Sequence, residues 1–259
     1  MMITSKDNSR LKAVRALVRS KKAREKQGCF VMEGVRSLSA LQDGTALPQY
    51  RLKEIWISEV GRAVLNAMQT DGTAVPVYEI PHDFMEQLSD CRTSQGVLGV
   101  VEYTPAPLEI NPEHGNYLLL DRVMDPGNMG TLIRSAVAFG FDGILLHGDC
   151  VEVFNPKTVR ATMGALPFSS HCMAAQNIFQ SLERLNYDLI ITELRGGENL
   201  YGMKFGLKNV LVIGNEANGV SAEILQKASR RLSIPMSGNV ESLNAAVAGS
   251  ICMSAISDC

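Results

Sequence analysis

Nowhere does the chain run apolar for the roughly 18 residues that a membrane-crossing helix needs. Its basic start is not followed by the hydrophobic core of a secretory signal. A C-x-x-C pair and a histidine pair at zinc spacing are both missing. The six cysteines (Cys29, Cys91, Cys150, Cys172, Cys252, Cys259) are scattered, which points to reduced thiols in a cytoplasmic protein without a metal centre. His171 beside Cys172 is read as chance rather than as a ligand pair. No G-x-G-x-x-G and no Walker sequence occurs, which weakens dinucleotide and P-loop readings. Internal repeats and low-complexity segments are missing too. Net charge is only −2 over 259 residues, so the chain is not a uniformly basic nucleic-acid binder.

What is present is a polarised charge. Residues 1–27 carry nine Lys/Arg against Asp7 and Glu25, a net of +7, and leave −9 for the rest. Charge gathered at one end is what phosphate binding requires, and a solvated helix face is the competing account. Thr4–Asn8 supply capping residues. Leu11, Val14, Leu17 and Val18 recur at helical spacing, and one helix is expected to run to Gly28. Beyond it the pattern gives a strand Cys29–Glu33, a helix around Val35–Leu41, a strand Arg51–Ser58 and a helix Ala63–Gln69. A strand Val75–Ile80, a helix His82–Leu88 and a buried strand ending at Tyr103 follow. This alternation predicts a small α/β sandwich over residues 1–104. Three prolines between Thr104 and Gly115 exclude a helix and make 105–115 a connector.

Residues 116–259 read as a second domain. A strand Tyr117–Asp121, a loop Arg122–Gly130, a helix Thr131–Phe139 and a strand Ile144–His147 make a βαβ unit and imply a parallel sheet. A helix beginning within Phe154–Ala161 is broken by Gly164–Pro167. Then come a helix Ile178–Leu185, a strand Tyr187–Thr192, a strand Val210–Gly214 and a helix Ala222–Ala228 capped by Ser221. A strand Arg231–Met236 and a helix Glu241–Ile256 complete the chain. Three loops share one position, between a strand's C-terminal end and a helix: Asp125–Gly130, Gly214–Gly219 and Ser237–Asn244. In open parallel sheets ligands bind at such ends, where glycine lets backbone N–H groups approach them. The third loop carries Glu241, Ser242 and Asn244, which read either as ordinary caps or as one wall of a polar site.

Those loops carry a resemblance. Asp125-Pro126-Gly127-Asn128-Met129-Gly130-Thr131-Leu132-Ile133-Arg134-Ser135-Ala136, Val212–Val220 and Ile234–Ala248 resemble, in order, the three motifs of the SpoU/TrmH family of RNA 2′-O-ribose methyltransferases. Phe30–Arg36 and Ser94–Val97 resemble, more loosely, that family's ribosomal-protein L30e-like substrate-binding domain. The resemblance implies an α/β SPOUT fold, whose parallel sheet ends in a deep trefoil knot, behind the small α/β domain. It implies S-adenosylmethionine as cofactor, a homodimer, and RNA as substrate, ribosomal RNA favoured over tRNA. Carried over by position, Leu194, Gly196, Gly214, Ile234, Met236 and Leu243 would hold the cofactor, largely through backbone. Arg134, Asn128, Glu216, Ser242 and Asn244 match the polar active-site positions. Lys6, Arg10, Arg15, Arg19, Lys21 and Lys22 are the RNA contacts expected of the basic start. Arg134 acts as a base or, given a guanidinium pKa above about 12, orients RNA phosphate and stabilises the 2′-oxygen; a buried ion pair is the rival role for it. Ala217 departs from the glycine frequent in the family. Rival functions are a catalytically silent RNA-binding or ribosome-assembly factor and a nucleotide-dependent oxidoreductase.

Overall fold

The computed structural model describes residues 1–42, 44–62, 75–89, 94–193 and 196–257. The expected helix Ala63–Gln69 and the cofactor position Leu194 lie outside the described residues. The chain forms two compact units, Met1–Ala106 with Glu152–Phe168, and Pro107–Val151 with Ser169–Cys259.

In the first unit, helices α1 (Ser9–Arg19) and α2 (Lys21–Gln27) lead into β1 (Cys29–Glu33), α3 (Val35–Gln42), β2 (Tyr50–Ile57), β3 (Val77–Glu79), α4 (His82–Leu88) and β4 (Val97–Tyr103). The sheet order is β1-β4-β2-β3, antiparallel except for the β2–β3 pair. Strand alternation sends Cys29, Val31, Leu98 and Val100 to the face where Leu11, Val14, Leu17, Trp56 and Phe84 pack. On the other face Phe30 stacks on Phe154 at 4.6 Å between ring centroids, and Tyr103 meets the same ring at 4.8 Å. Phe154 lies just before the helix Pro156–Ala161, in the segment Glu152–Phe168 that completes this unit.

The single N-terminal helix expected from periodicity is two. Ser20 leaves helical geometry (φ −133°, ψ 116°), and its hydroxyl accepts the Ala23 N–H, so capping a new helix wins over continuing the old one. Gly28 ends α2 in the left-handed conformation at φ +58°, as a C-terminal glycine should. The break turns Arg24 inward. Its Nη1 donates to the Leu17 carbonyl at 2.6 Å and its Nε to Glu152 at 2.7 Å, so one of the nine basic residues is a buried, paired cation.

The second unit contains β5 (Gly115–Asp121), α5 (Pro126–Ala138), β6 (Gly143–His147), β7 (His171–Met173), α7 (Gln176–Arg184), β8 (Asp188–Thr192), β9 (Glu198–Asn199), β10 (Lys208–Ile213), α8 (Ala222–Lys227), β11 (Arg230–Ser233) and α9 (Ala245–Ile256). Helix α6 (Pro156–Ala161) belongs to the first unit. All seven strands are parallel, in the order β7-β6-β5-β10-β8-β11-β9. Central β5 and β10 are buried along nearly their whole length, which is why both read as unbroken apolar runs. The short edge strands β7 and β9 were not expected from the sequence.

Two helix starts differ from expectation. Helix α5 begins at Pro126, not Thr131, because the Asp125 carboxylate accepts the Asn128 N–H at 2.7 Å and proline is tolerated in a first turn. Helix α9 begins at Ala245, not Glu241, because Asn244 takes the N-cap and accepts from Ala246 and Val247. Ser221 stands at the N-cap of α8, yet makes no side-chain cap bond.

Candidate active site

The C-terminal ends of β8, β10 and β11 and the start of α9 surround a cavity of about 460 Å³. Its walls include Thr192, Glu193, Ile213, Gly214, Asn215, Glu216, Ala217, Gly219 and Val220. They also include Ile234, Met236, Ser242, Leu243, Asn244, Ala245 and Ala248. The position follows from the sheet: parallel strands end their ladders here, and the loops leave backbone groups for a ligand. Gly214 is required for packing. A Cβ there would fall 2.5 Å from the backbone of Gly219 and Val220, where the loop closes on itself.

A relay of side-chain amides joins the three loops. Glu216 Oε1 accepts from Asn128 Nδ2 at 2.9 Å, and Asn128 Oδ1 accepts from Asn244 Nδ2 at 2.9 Å. Asn244 Oδ1 then caps α9. Glu216 also accepts the Asp125 and Met124 backbone N–H groups at 3.3 and 3.4 Å. Burial pushes the Glu216 carboxyl up, but the Asn128 bond and the backbone donors outweigh it and hold the group below its ordinary value. Glu216 is therefore an anion at neutral pH.

Of the residues expected to hold a cofactor, Gly214, Ile234, Met236 and Leu243 line the cavity; Gly196 is not among its walls. Of the expected catalytic residues, Glu216, Ser242 and Asn244 line it, and buried Asn128 reaches it through its two hydrogen bonds. Arg134 is elsewhere: it is exposed on α5, so the buried ion pair considered for it does not form. The six expected RNA contacts lie in the first unit with unequal freedom. Arg10 pairs with Glu54 at 3.3 Å, Lys21 with Glu25 at 3.7 Å, and Arg15 reaches Gln87 at 3.5 Å. Lys6 sits over the Phe84 ring, while Arg19 and Lys22 are exposed.

Sequence reasoning passed over Thr192 and Glu193, although the end of a parallel strand is itself a signal. It also passed over Asp121, Arg122, His147 and Asn215, whose roles come from contacts distant in sequence. Among the lining residues described, two are carboxylates, Glu193 and Glu216, and none is cationic. Apolar walls with two carboxylates among the described lining residues suit a nucleoside that carries a cationic sulfonium, and the volume falls in the usual range for small-molecule sites.

The chain is similar to known proteins over nearly its whole length. Residues 8–99 match the MRM3-like substrate binding domain. The 23S rRNA (guanosine(2553)-2′-O)-methyltransferase RlmP of Bacillus subtilis is 29% identical over 255 residues, covering 96% of each chain. The 23S rRNA (uridine(2479)-2′-O)-methyltransferase of Streptomyces viridochromogenes is 30% identical over 256 residues, covering 94% of this chain and 87% of that one. An AdoMet-bound rRNA methyltransferase from Sinorhizobium meliloti superposes with a TM-score of 0.84 at 30% identity, covering 99% of this chain and 97% of that one. With residues 115–254 matching its model, the chain belongs to the SpoU rRNA methylase family.

Proposed function

We propose that this protein transfers the methyl group of S-adenosylmethionine to a ribose 2′-hydroxyl in ribosomal RNA, with the cavity at the strand ends as cofactor site. The observation that carries the reading is the Glu216–Asn128–Asn244 relay, which draws all three motif loops to one cavity. Bound S-adenosylmethionine supplies an already activated methyl group, so the protein has chiefly to position the 2′-oxygen and stabilise charge developing on it. Gly214, Ile234, Met236 and Leu243 hold the cofactor, with Gly196 and Leu194 completing its site. Asn128, Ser242 and Asn244 position, and Glu216 shapes the pocket. Arg134 orients RNA phosphate and stabilises the nucleophile.

The same reading makes the protein a cytoplasmic homodimer. Exposed Arg134 is outside the cavity walls of its own chain, and a second subunit's cavity gives it a place to act. A deep trefoil knot in the second unit and an L30e-like fold for the first belong to this reading. Exposed Arg19 and Lys22, with Lys6, Arg10, Arg15 and Lys21, meet RNA phosphate.

The test is transfer of labelled methyl from S-adenosylmethionine to unmodified ribosomal RNA, followed by mapping of alkali-resistant linkages. Label at a ribose is expected. Folded protein that fails to bind S-adenosylhomocysteine, or label confined to bases, would refute the reading.

A further inference from the structure

At the C-terminal ends of β5 and β6 lies a polar cluster outside the cavity walls. Asp121 closes β5 with 0% of its surface exposed, so its charge has to be met by donors. Three meet it: the Ser221 N–H at 2.6 Å, His147 Nδ1 at 2.9 Å and Arg122 Nε at 3.3 Å. His147 turns its other nitrogen to Glu223 at 3.5 Å. Arg122 has φ +56°, a left-handed backbone unfavourable for a residue with a side chain.

That backbone serves a neighbouring loop. The Arg122 carbonyl accepts from Asn215 Nδ2 at 2.9 Å, and its guanidinium donates to the Gly219 carbonyl at 3.2 Å. Asn215 and Gly219 are the two ends of a loop closed by their mutual backbone bonds. Between them Glu216, Ala217 and Asn218 are exposed, so little apolar burial holds the loop in shape. Glu216 nevertheless needs a fixed backbone to reach Asn128.

We infer that Asp121 and Arg122 are positioning residues for cofactor binding, clamping the Asn215–Gly219 wall of the cavity at both ends. The inference rests on that cavity being the cofactor site. Asp121 fixes the Arg122 side chain and the chain leaving the loop at Ser221; Arg122 fixes the loop itself. A wall ordered before the ligand arrives removes an ordering cost from binding.

The test measures S-adenosylhomocysteine affinity and thermal stability on the full chain. Asp121→Asn keeps the side-chain volume but turns one acceptor into a donor facing a donor, and is expected to weaken binding roughly tenfold. Arg122→Gly adopts the left-handed backbone freely, keeps the carbonyl to Asn215 and deletes the bond to Gly219. It relieves the backbone strain but leaves Asp121 one donor short, so it should still fold and bind several-fold more weakly. Asn209→Ala is the structural control: Asn209 is buried at the opposite end of the sheet, bonded to Asn116 and Gly206, and should lose stability without losing affinity. Met236→Trp places a reporter in the cavity wall whose fluorescence should change on binding. If the reporter is silent while ligand binds, the cavity reading fails and the inference with it. If the reporter responds but Asp121→Asn and Arg122→Gly bind like wild type, or Asn209→Ala weakens binding as much as they do, the positioning role is overturned and the cavity reading stands.

Discussion

Asn128 uses both ends of one amide, donating to Glu216 and accepting from Asn244, with only 8% of its surface exposed. No carboxylate can replace it. Asn128→Asp would set two anions in contact and strip Asn244 of nothing, whereas Asn128→Ala merely leaves both neighbours short of one bond. Asn128→Asp is therefore expected to lose more thermal stability than Asn128→Ala, which itself should cost about 1–3 kcal/mol. Denaturant melts of the pair check the order. His171 gives a second residue-scale prediction. Burial lowers its pKa from 6.5 to about 4, so it is neutral in the folded protein, and the unfolded chain binds the extra proton between those values. Stability is then full above about pH 6.5 and falls as pH drops toward 4, by an amount on the order of 3 kcal/mol. His171→Gln should flatten the profile in that window; an unchanged slope would contradict the assignment.

At the scale of elements, Gly249 shows why the last helix is built from small residues. A Cβ there would stand 2.5 Å from Leu132 of α5 and 3.2 Å from Ile213 of β10, so the helix can lie down only where a side chain is missing. Gly249→Val should overpack this contact, lower the melting temperature and cost about 1–3 kcal/mol or more; a neutral result would mean that α9 can shift away. The positions of the long strands were legible because β5 and β10 are continuous apolar runs. Helix starts were less so. Pro126, Gly127 and Asn128 look like a loop by composition, yet Asp125 makes them a first turn. Glu241–Asn244 look like a helix start, yet Asn244 caps later. Ser20 splits a helix that periodicity alone would continue. In each case one side-chain hydrogen bond to a backbone N–H decides the boundary, and hydrophobic periodicity does not carry that information.

For the whole molecule, the first unit is not finished by the first hundred residues. Glu152 neutralises buried Arg24 and Phe154 covers Phe30, both supplied from later in the chain. A fragment of residues 1–106 leaves that cation unpaired and that face bare. It is expected to be markedly less stable than the same unit in the full chain, as a thermal melt followed at Trp56 would show. The proposed dimer has its own test. Arg134→Ala and Asn244→Ala should each abolish methyl transfer, with S-adenosylhomocysteine still bound by the first. Co-expressed in equal amounts they should recover about a quarter of wild-type turnover if one subunit's Arg134 serves its partner's cavity. No recovery would place Arg134 and Asn244 in one chain's site.

The sequence by itself determined the α/β class, the parallel second half, the three strand-end loops and the motifs that place the chain in its family. Those properties are local: a run of buried residues or a glycine at a strand end is written in neighbouring positions. Tertiary structure decided the rest. It took Arg24 out of the basic surface, put Asp121 and Arg122 behind the cavity wall, and joined Asn128 to Asn244 across 116 residues. A hydrogen bond between distant side chains depends on where two backbones end up, and no pattern within either segment specifies its partner.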